Sequence, residues 1–489
     1  MQVINPVAVS DTSTHTRASV GRCWDINGNN VEKAVDEARY QWNPATGVFE
    51  GVLWEPARTN LLLNSATLST QTRTVTNGTE YTLSFYGTGS ITITGTTSVG
   101  GSSASSRVVT GTGATAWTTL TFTAGTTSLT FTVSGSCTKA QLEAGGWATS
   151  WIATTGSSAS RSADLFSGDG MFNTTFTDAT AAYAGGTTYG VGTRVQYQHR
   201  IYESARGSNT GNTPAHTATA WHPGIVYTTG DVREYGGIVY TSLTTGNVGN
   251  QPDQSPSAWA IWWLHVGPAN DFAMFDRAQS TASVADNGYQ VFAFKTSEEV
   301  NAVCLHGIEA DTVHVAVSNG AGGLATQTVT VVGGAAWVGD LSVPGGTTGG
   351  AVVSVYATRA SGVVTITEFV CGTIHTLGET LYGLTFSIAD YSQETEDGFG
   401  GMKFKRGAFR KLIKAPLLVD TSNDEDLTNI TSLLAYLRKR PCSWNFSEGQ
   451  GKYAYVGITY GVYEGFEVLV PYETHSLLEL RIKGLSEPL

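Results

Sequence analysis

Nine residues recur at one fixed offset, and that repeat limits what the middle of this chain can fold into. Tyr189, Gly192, Tyr197, Tyr202, Ser204, Gly211, Asn212, Pro214 and Trp221 are matched by Tyr227, Gly230, Tyr235, Tyr240, Ser242, Gly249, Asn250, Pro252 and Trp259. Tyr189 and Tyr227 stand 38 residues apart, and every other pair keeps that spacing. This is a tandem duplication. A unit so short holds little core of its own, so its aromatics have two uses: filling a mini-core, or stacking on a ligand.

The rest of the composition fits such modules. At 489 residues the length suggests about three domains, and more if small modules are present. Gly is abundant at 58 and charged residues make up only 14%, with long Thr- and Ser-rich stretches. That is the composition of turn-rich, mainly β domains rather than of a helical enzyme. Cys23, Cys137, Cys304, Cys371 and Cys442 lie far apart, with no metal-ligand spacing, and read as buried free thiols rather than a disulfide scaffold.

Net charge is −12, which argues against a nucleic-acid partner, since phosphate binding needs a basic surface. The run Lys403, Lys405, Arg406, Arg410, Lys411 and Lys414 is a local exception. It is either a solvated strand or an inter-subunit contact. The N-terminus has no basic segment leading into an apolar stretch, and no apolar run is long enough to cross a bilayer. The expectation is a chain made in a cytoplasm without membrane insertion.

Along the chain, 1–60 forms an N-terminal segment with turn signals at Asn27-Gly28 and Asn43-Pro44. Residues 61–165 carry period-two runs at Tyr81–Phe85, Ile91–Ile93, Leu120–Phe122 and Leu129–Val133, which predict a β-sandwich with one wet face. Small polar residues at 166–186 read as a linker. The twin modules occupy 187–224 and 225–267. Strands at Val291–Phe294, Val313–Val317, Val352–Tyr356 and Val364–Thr367 predict a second, jelly-roll-like sandwich over 268–375. Residues 376–489 read as a small α+β domain. Its helix opens at the capping pattern Ser422-Asn423-Asp424-Glu425, continues through Leu427, Ile430, Leu433, Leu434 and Leu437, and stops before Pro441.

No catalytic motif is present: no nucleophile elbow, no zinc-protease helix motif, no phosphate loop. His306 and Glu309 have helical spacing in strand-like sequence, so His306 reads as a structural histidine. Asp390, Glu394, Glu396 and Asp397 precede a Gly turn, and such carboxylates suit Ca²⁺, but the spacing is not that of an EF-hand. No catalytic residue, metal ligand or cofactor is assigned. The aromatics of the repeats carry more. A sugar ring has an apolar C–H face on which a flat Trp or Tyr can stack while its polar tip stays wet. The candidates are Trp221 and Trp259, which close the units, with Tyr189, Tyr227, Tyr235 and Tyr240.

The pattern Tyr227-x-x-Gly230-Asp231-x-x-x-Tyr235-Gly236-Gly237-x-x-Tyr240, with Pro252 and Ser257-Ala258-Trp259, resembles small chitin-binding-type carbohydrate-binding modules. Copy one departs from it, with Thr193 for the Asp and Gln198-His199 for the Gly pair. The resemblance implies polysaccharide contact at Trp259 and, by repeat, Trp221.

Arg39-Tyr40 and Gly51-Val52-Leu53-Trp54-Glu55-Pro56-Ala57-Arg58-Thr59-Asn60-Leu61-Leu62 are similar to the opening of a sandwich module common in tailed-phage structural proteins. Gln141-Leu142-Glu143, Thr149-Ser150-Trp151-Ile152 and Arg161-x-x-Asp164 are similar to its close. Leu377-Gly378 through Tyr391-Ser392 resembles C-terminal regions of phage tail-associated proteins. These resemblances imply a virion structural protein at the tail tip or baseplate. Its implied partners are other virion proteins, further copies of itself as a homo-oligomer, and host cell-surface polysaccharide. A capsid-attached fibre or decoration protein, or a polysaccharide-degrading enzyme, are the alternatives.

Overall fold

Period-two runs of Thr and Ser against Leu, Ile, Phe and Val give each strand one apolar face that must be covered. The computed structural model describes residues 1–7, 13–174, 180–197, 200–204, 207–211, 214, 221–235, 238–242, 244–249, 263–279, 281–285, 288–381, 383–396, 402–420, 424–446, 457–469 and 475–485. It is mainly β, with one α-helix among the described residues. The chain divides into two units, residues 1–175 with 285–489, and residues 176–284.

In the first unit, residues 71–144 form a seven-stranded sheet folded over on itself. Strands Thr138–Ala144, Glu80–Gly87 and Gly113–Ala124 make one leaf. Ser102–Thr110, Ser90–Val99, Ser128–Ser134 and Gln71–Thr74 make the other. Tyr81, Leu83, Phe85 and Phe122 from the first meet Ile91, Ile93, Leu129 and Phe131 from the second in one core. The turn between leaves is local: Ser90–Val99 leaves Ser128–Ser134 after Thr94 and joins Gly113–Ala124 at Thr97 and Ser98. Gly95 sits at this bulge with φ +127°, where a Cβ would lie 2.6 Å from Leu129.

A five-stranded sheet runs Gly170–Thr174, Tyr289–Thr296, Ala351–Thr358, Thr312–Ser318, Leu324–Thr330. Its second strand is buried along nearly its whole length because both faces are covered. Phe292 and Phe294 meet Phe369 on one side, with ring centroids 5.2 and 5.8 Å away. Val291 and Ala293 on the other side pack under the hairpin Tyr40–Trp42/Phe49–Val52. Gly51 makes that approach feasible: at φ +90°, a Cβ there would lie 2.6 Å from the Ala316 Cβ.

Phe369 belongs to a ten-stranded sheet whose order differs from the domain division read in the sequence. Strand Gln2–Pro6 lies between Glu368–Thr376 and Cys442–Asn445. It thereby joins strands assigned to the N-terminal segment, the second sandwich and the C-terminal domain. Beyond Cys442–Asn445 the sheet continues through Ile458–Leu469, His475–Gly484 and Phe409–Asp420. Part of the expected linker is also structured, since Leu165–Ser167 pairs with Thr14–Thr16 and Gly170–Thr174 pairs with Tyr289–Thr296.

The helix spans Asp424–Tyr436; the capping residues 421–423 lie outside the described ones. Leu434 and Leu437 are fully buried against Trp444, Leu478 and Leu480, with Ile430 and Leu433 packed beside them. The Arg438 guanidinium donates to the Ala435 carbonyl at 2.9 Å, serving an otherwise orphaned acceptor near the helix end.

In the second unit, both copies of the repeat form a short hairpin: Arg194–Tyr197 with Arg200–Ser204, and Val232–Tyr235 with Ile238–Thr241. Copy one gains a third strand, Trp263–Pro268, from the C-terminal end of the span read as copy two.

Candidate functional site

The duplication is visible bond by bond. Tyr189 Oη accepts from the Ala184 amide at 2.7 Å and donates to the Ala184 carbonyl at 3.1 Å. Tyr227 Oη does the same to His222, at 2.8 and 3.1 Å. The amides of Gly192 and Gly230 donate to the carbonyls of Ser204 and Ser242, each at 2.8 Å. Asn209 and Asn247 donate to the same serines' hydroxyls at 3.1 and 3.0 Å.

These bonds place two of the predicted sugar contacts. Tyr189 and Tyr227 are 7% and 2% exposed, with hydroxyls committed to backbone. One face of Tyr189 carries the Tyr183 ring, and Tyr227 carries the Arg233 guanidinium 4.9 Å from its centroid. Both belong to the mini-core rather than to an open platform, because a unit this small has few other bulky residues to bury. Trp221 is half-buried. Tyr235 and Tyr240 stand on the copy-two hairpin, opposite Ile238 and Arg233, and their side chains lie outside the described ones. Trp259 lies outside the described residues. Asp231, which separates copy two from copy one, accepts the Thr228 amide at 2.8 Å, a bond that lowers its carboxyl pKa and closes the turn.

The motif residues of the N-terminal third converge on a buried polar network. Asp164 accepts from His15 at 3.0 Å, Arg17 at 3.2 Å, the Glu55 amide at 3.0 Å, and from Arg39. Burial alone would raise its pKa, but the His15 hydrogen bond and the Arg39 charge outweigh that and hold it at about 2. Glu55 bridges Arg39 at 2.9 Å and Arg161 at 3.0 Å and accepts twice from Ser150. Glu143 accepts from Gln141 and from the amide and hydroxyl of Thr149, each at 2.7 Å. Asn60 spends its side chain on four backbone groups, those of Leu62, Ala140, Leu142 and Ile152. Every carboxylate here is consumed by structure: the network ties the 1–60 segment to the sandwich.

Beside that network lies a small, partly open cleft. Hairpin Gly21–Trp24/Asn30–Lys33 supplies Arg22, Trp24 and Asn30; strand Glu80–Gly87 supplies Tyr86; strand Gly113–Ala124 supplies Trp117; the loop after strand Thr138–Ala144 supplies Trp151. Trp117 stacks on Tyr86 with centroids 5.6 Å apart and planes at 13°, and Trp24 meets Tyr86 edge-on at 5.3 Å.

The cleft's polar atoms are unevenly served. Trp24 Nε1 donates to Tyr86 Oη at 3.0 Å, and Trp151 Nε1 donates to Ser65 Oγ at 3.1 Å. Trp117 Nε1 and Asn30 Oδ1 are buried without a hydrogen-bond partner. Burial pushes the Cys23 thiol up to about 11, and it pushes Tyr86 to about 12 against the Trp24 hydrogen bond, so both stay neutral. The cations sit on ring faces, Arg22 over Trp151 and Lys139 over Trp24, and Arg22 is also paired with Glu32 at 2.9 Å.

Sequence reading missed this cleft because its walls are far apart in the chain. One signal was available: Tyr86 continues the run Thr82, Ser84, on the face that alternation marks as polar.

The remaining candidates do not form sites. Asp390 accepts from the Ser392 amide and hydroxyl, Asp397 lies outside the described residues, and no metal-binding group of three acids, histidines or cysteines occurs among the described ones. Cys304, His306 and Ser443 form a fully enclosed chain, His306 Nε2 lying 3.2 Å from Sγ and 2.8 Å from Oγ. All five cysteines are buried thiols. No helix among the described residues is long and apolar enough to cross a membrane. Compared with known protein families and with curated proteins, the sequence matches none.

Proposed function

We propose that this chain is a structural protein of a tailed-phage virion, placed at the tail tip or baseplate, which contributes to host-surface glycan binding and to assembly. The observation that carries the reading is the network around Asp164. The residues by which the sequence resembles phage sandwich modules (Arg39, Glu55, Asn60, Gln141, Glu143, Thr149, Ser150, Arg161) are the ones that interlock there. A motif scattered over more than a hundred residues that closes into one hydrogen-bonded frame supports a shared module rather than a chance match.

The proposed mode of action is binding and display, not turnover. The buried carboxylates are held in ion pairs, and the Cys304–His306 contact has no access to solvent. The repeat supports several weak sites on one chain, and copies in a homo-oligomer multiply them, so avidity rises through effective concentration. Antibody labelling of virions carrying this protein tests the placement. Label at the tail tip or baseplate is expected, and label confined to the head overturns it in favour of a capsid fibre.

A further inference from the structure

We propose that the hairpin arm of residues 385–414 joins copies of this chain into a ring, the acidic strand of one arm lying beside the basic strand of the next. The proposal names the contact surface of the homo-oligomer described above and rests on that reading for its partner.

The arm starts at the edge of the ten-stranded sheet, where Thr385–Asp390 pairs with residues 409–414 of strand Phe409–Asp420. Beyond a joint, Gln393–Glu396 pairs with Met402–Lys405 as a separate two-stranded sheet. Hydrogen bonds fix the joint: the Ser392 hydroxyl donates to Asp390 at 2.6 Å and accepts the Gly407 amide at 3.0 Å. A Cβ at Gly407 would collide with the Tyr391 carbonyl, so the close approach needs glycine. Among the described residues the distal sheet has no third strand, and both its outer edges are open. A lone two-stranded ribbon is marginal in water, and open edges are templates for another strand.

The charges name the partner. Across the distal hairpin, Lys405 stands opposite Gln393 and Glu394 opposite Phe404. Lys403 stands opposite Thr395 and Glu396 opposite Met402, so no acid is set against a base. One strand nevertheless carries the two acids and the other the two bases, with Arg406 following. Opposite charges stabilise a sheet when their strands lie side by side. Placing the acidic edge of one copy against the basic edge of another supplies pairs that the single arm lacks. A two-fold contact would set acid against acid or base against base. Complementarity therefore selects a head-to-tail contact, which closes into a ring of three or more copies.

The apolar residues supply contact area on the same hairpin. Phe404 is 72% exposed, the most exposed large apolar residue among the described ones, and Met402 is 51% exposed. Two positions apart on one strand, they share a face of a ribbon that has no layer of its own to cover it.

The test is sedimentation velocity of the full chain over a range of protein and salt concentrations. The native chain is expected as an oligomer of three or more copies that loosens as salt rises. Glu394→Lys with Glu396→Lys makes both edges basic, and Lys403→Glu with Lys405→Glu makes both acidic. Each double variant should need at least about tenfold more protein to assemble, and an equimolar mixture of the two should reassemble, each supplying the edge the other lacks. Reassembly also shows that both variants fold. Phe404→Ser, with circular dichroism like that of the native chain, should weaken assembly about tenfold. A native chain that stays monomeric would overturn both the arm contact and the homo-oligomer. An oligomer that withstands all three variants would overturn the arm contact alone and leave the homo-oligomer standing. A two-copy assembly, or double variants that separate and do not reassemble on mixing, would overturn the head-to-tail ring.

Discussion

The Tyr227 hydroxyl grips both backbone groups of His222, taking the amide proton at 2.8 Å and donating to the carbonyl at 3.1 Å. Tyr189 holds Ala184 the same way one repeat earlier. Each pair closes a loop in a module with a core of only a few rings. Tyr189→Phe and Tyr227→Phe should each cost about 1–3 kcal/mol locally, since two backbone groups lose their partner. Limited proteolysis should show faster cutting within 176–284 in the variants and unchanged cutting in the sandwich.

Asp164→Asn should destabilise the first unit by about 3–5 kcal/mol, because Arg17 and Arg39 stay buried with their charges no longer balanced. The pH dependence follows from a folded pKa of about 2 against an ordinary value of 3.8. The unfolded chain binds the proton first, so the stabilisation is complete above about pH 4 and is lost as pH falls toward 2. Urea midpoints measured over that range should fall for the native chain and fall less for the variant.

His306 has the same sign by a different cause. Burial, helped by Lys411, lowers its pKa from 6.5 to about 3, so it stays neutral in the fold while the unfolded chain protonates. Stability should therefore be full above about pH 6.5 and decline steadily between there and pH 3. His306→Asn should flatten that limb in a urea titration, even where its absolute stability is lower.

Gly51→Ala tests the seating of the 40–52 hairpin on the five-stranded sheet. The added Cβ meets the Ala316 Cβ at 2.6 Å and must adopt φ +90°. A loss of about 3 kcal/mol is expected from the clash and the strain together, read as a lower denaturation midpoint.

Much of the fold was legible because period-two alternation reports strands directly. Tyr81–Phe85, Leu129–Val133, Val291–Phe294 and Val313–Val317 all lie in strands, and the helix Asp424–Tyr436 carries Leu434 inward as its spacing predicts, with Leu437 buried just past its end. Partners were not legible, since alternation says which face is apolar and nothing about the neighbouring strand. Gln2–Pro6 gives no hint that it will lie between strands more than 350 residues away in sequence.

The candidate site divides in the same way. The repeat exposed the modules but could not separate core aromatics from open ones, and Tyr189 and Tyr227 proved to be core. The cleft needed Trp24, Trp117 and Trp151 brought together by tertiary structure, and only the parity of Tyr86 announced it.

Retention on bacterial surface polysaccharide, read together with the length of the polysaccharide afterwards, tests the central claim most directly. The purified full chain should be retained by at least one such polymer while the polymer's size distribution stays unchanged over long incubation. Release of short oligosaccharides would contradict a role in binding and display by revealing turnover, and absence of retention on every polymer would contradict glycan recognition itself.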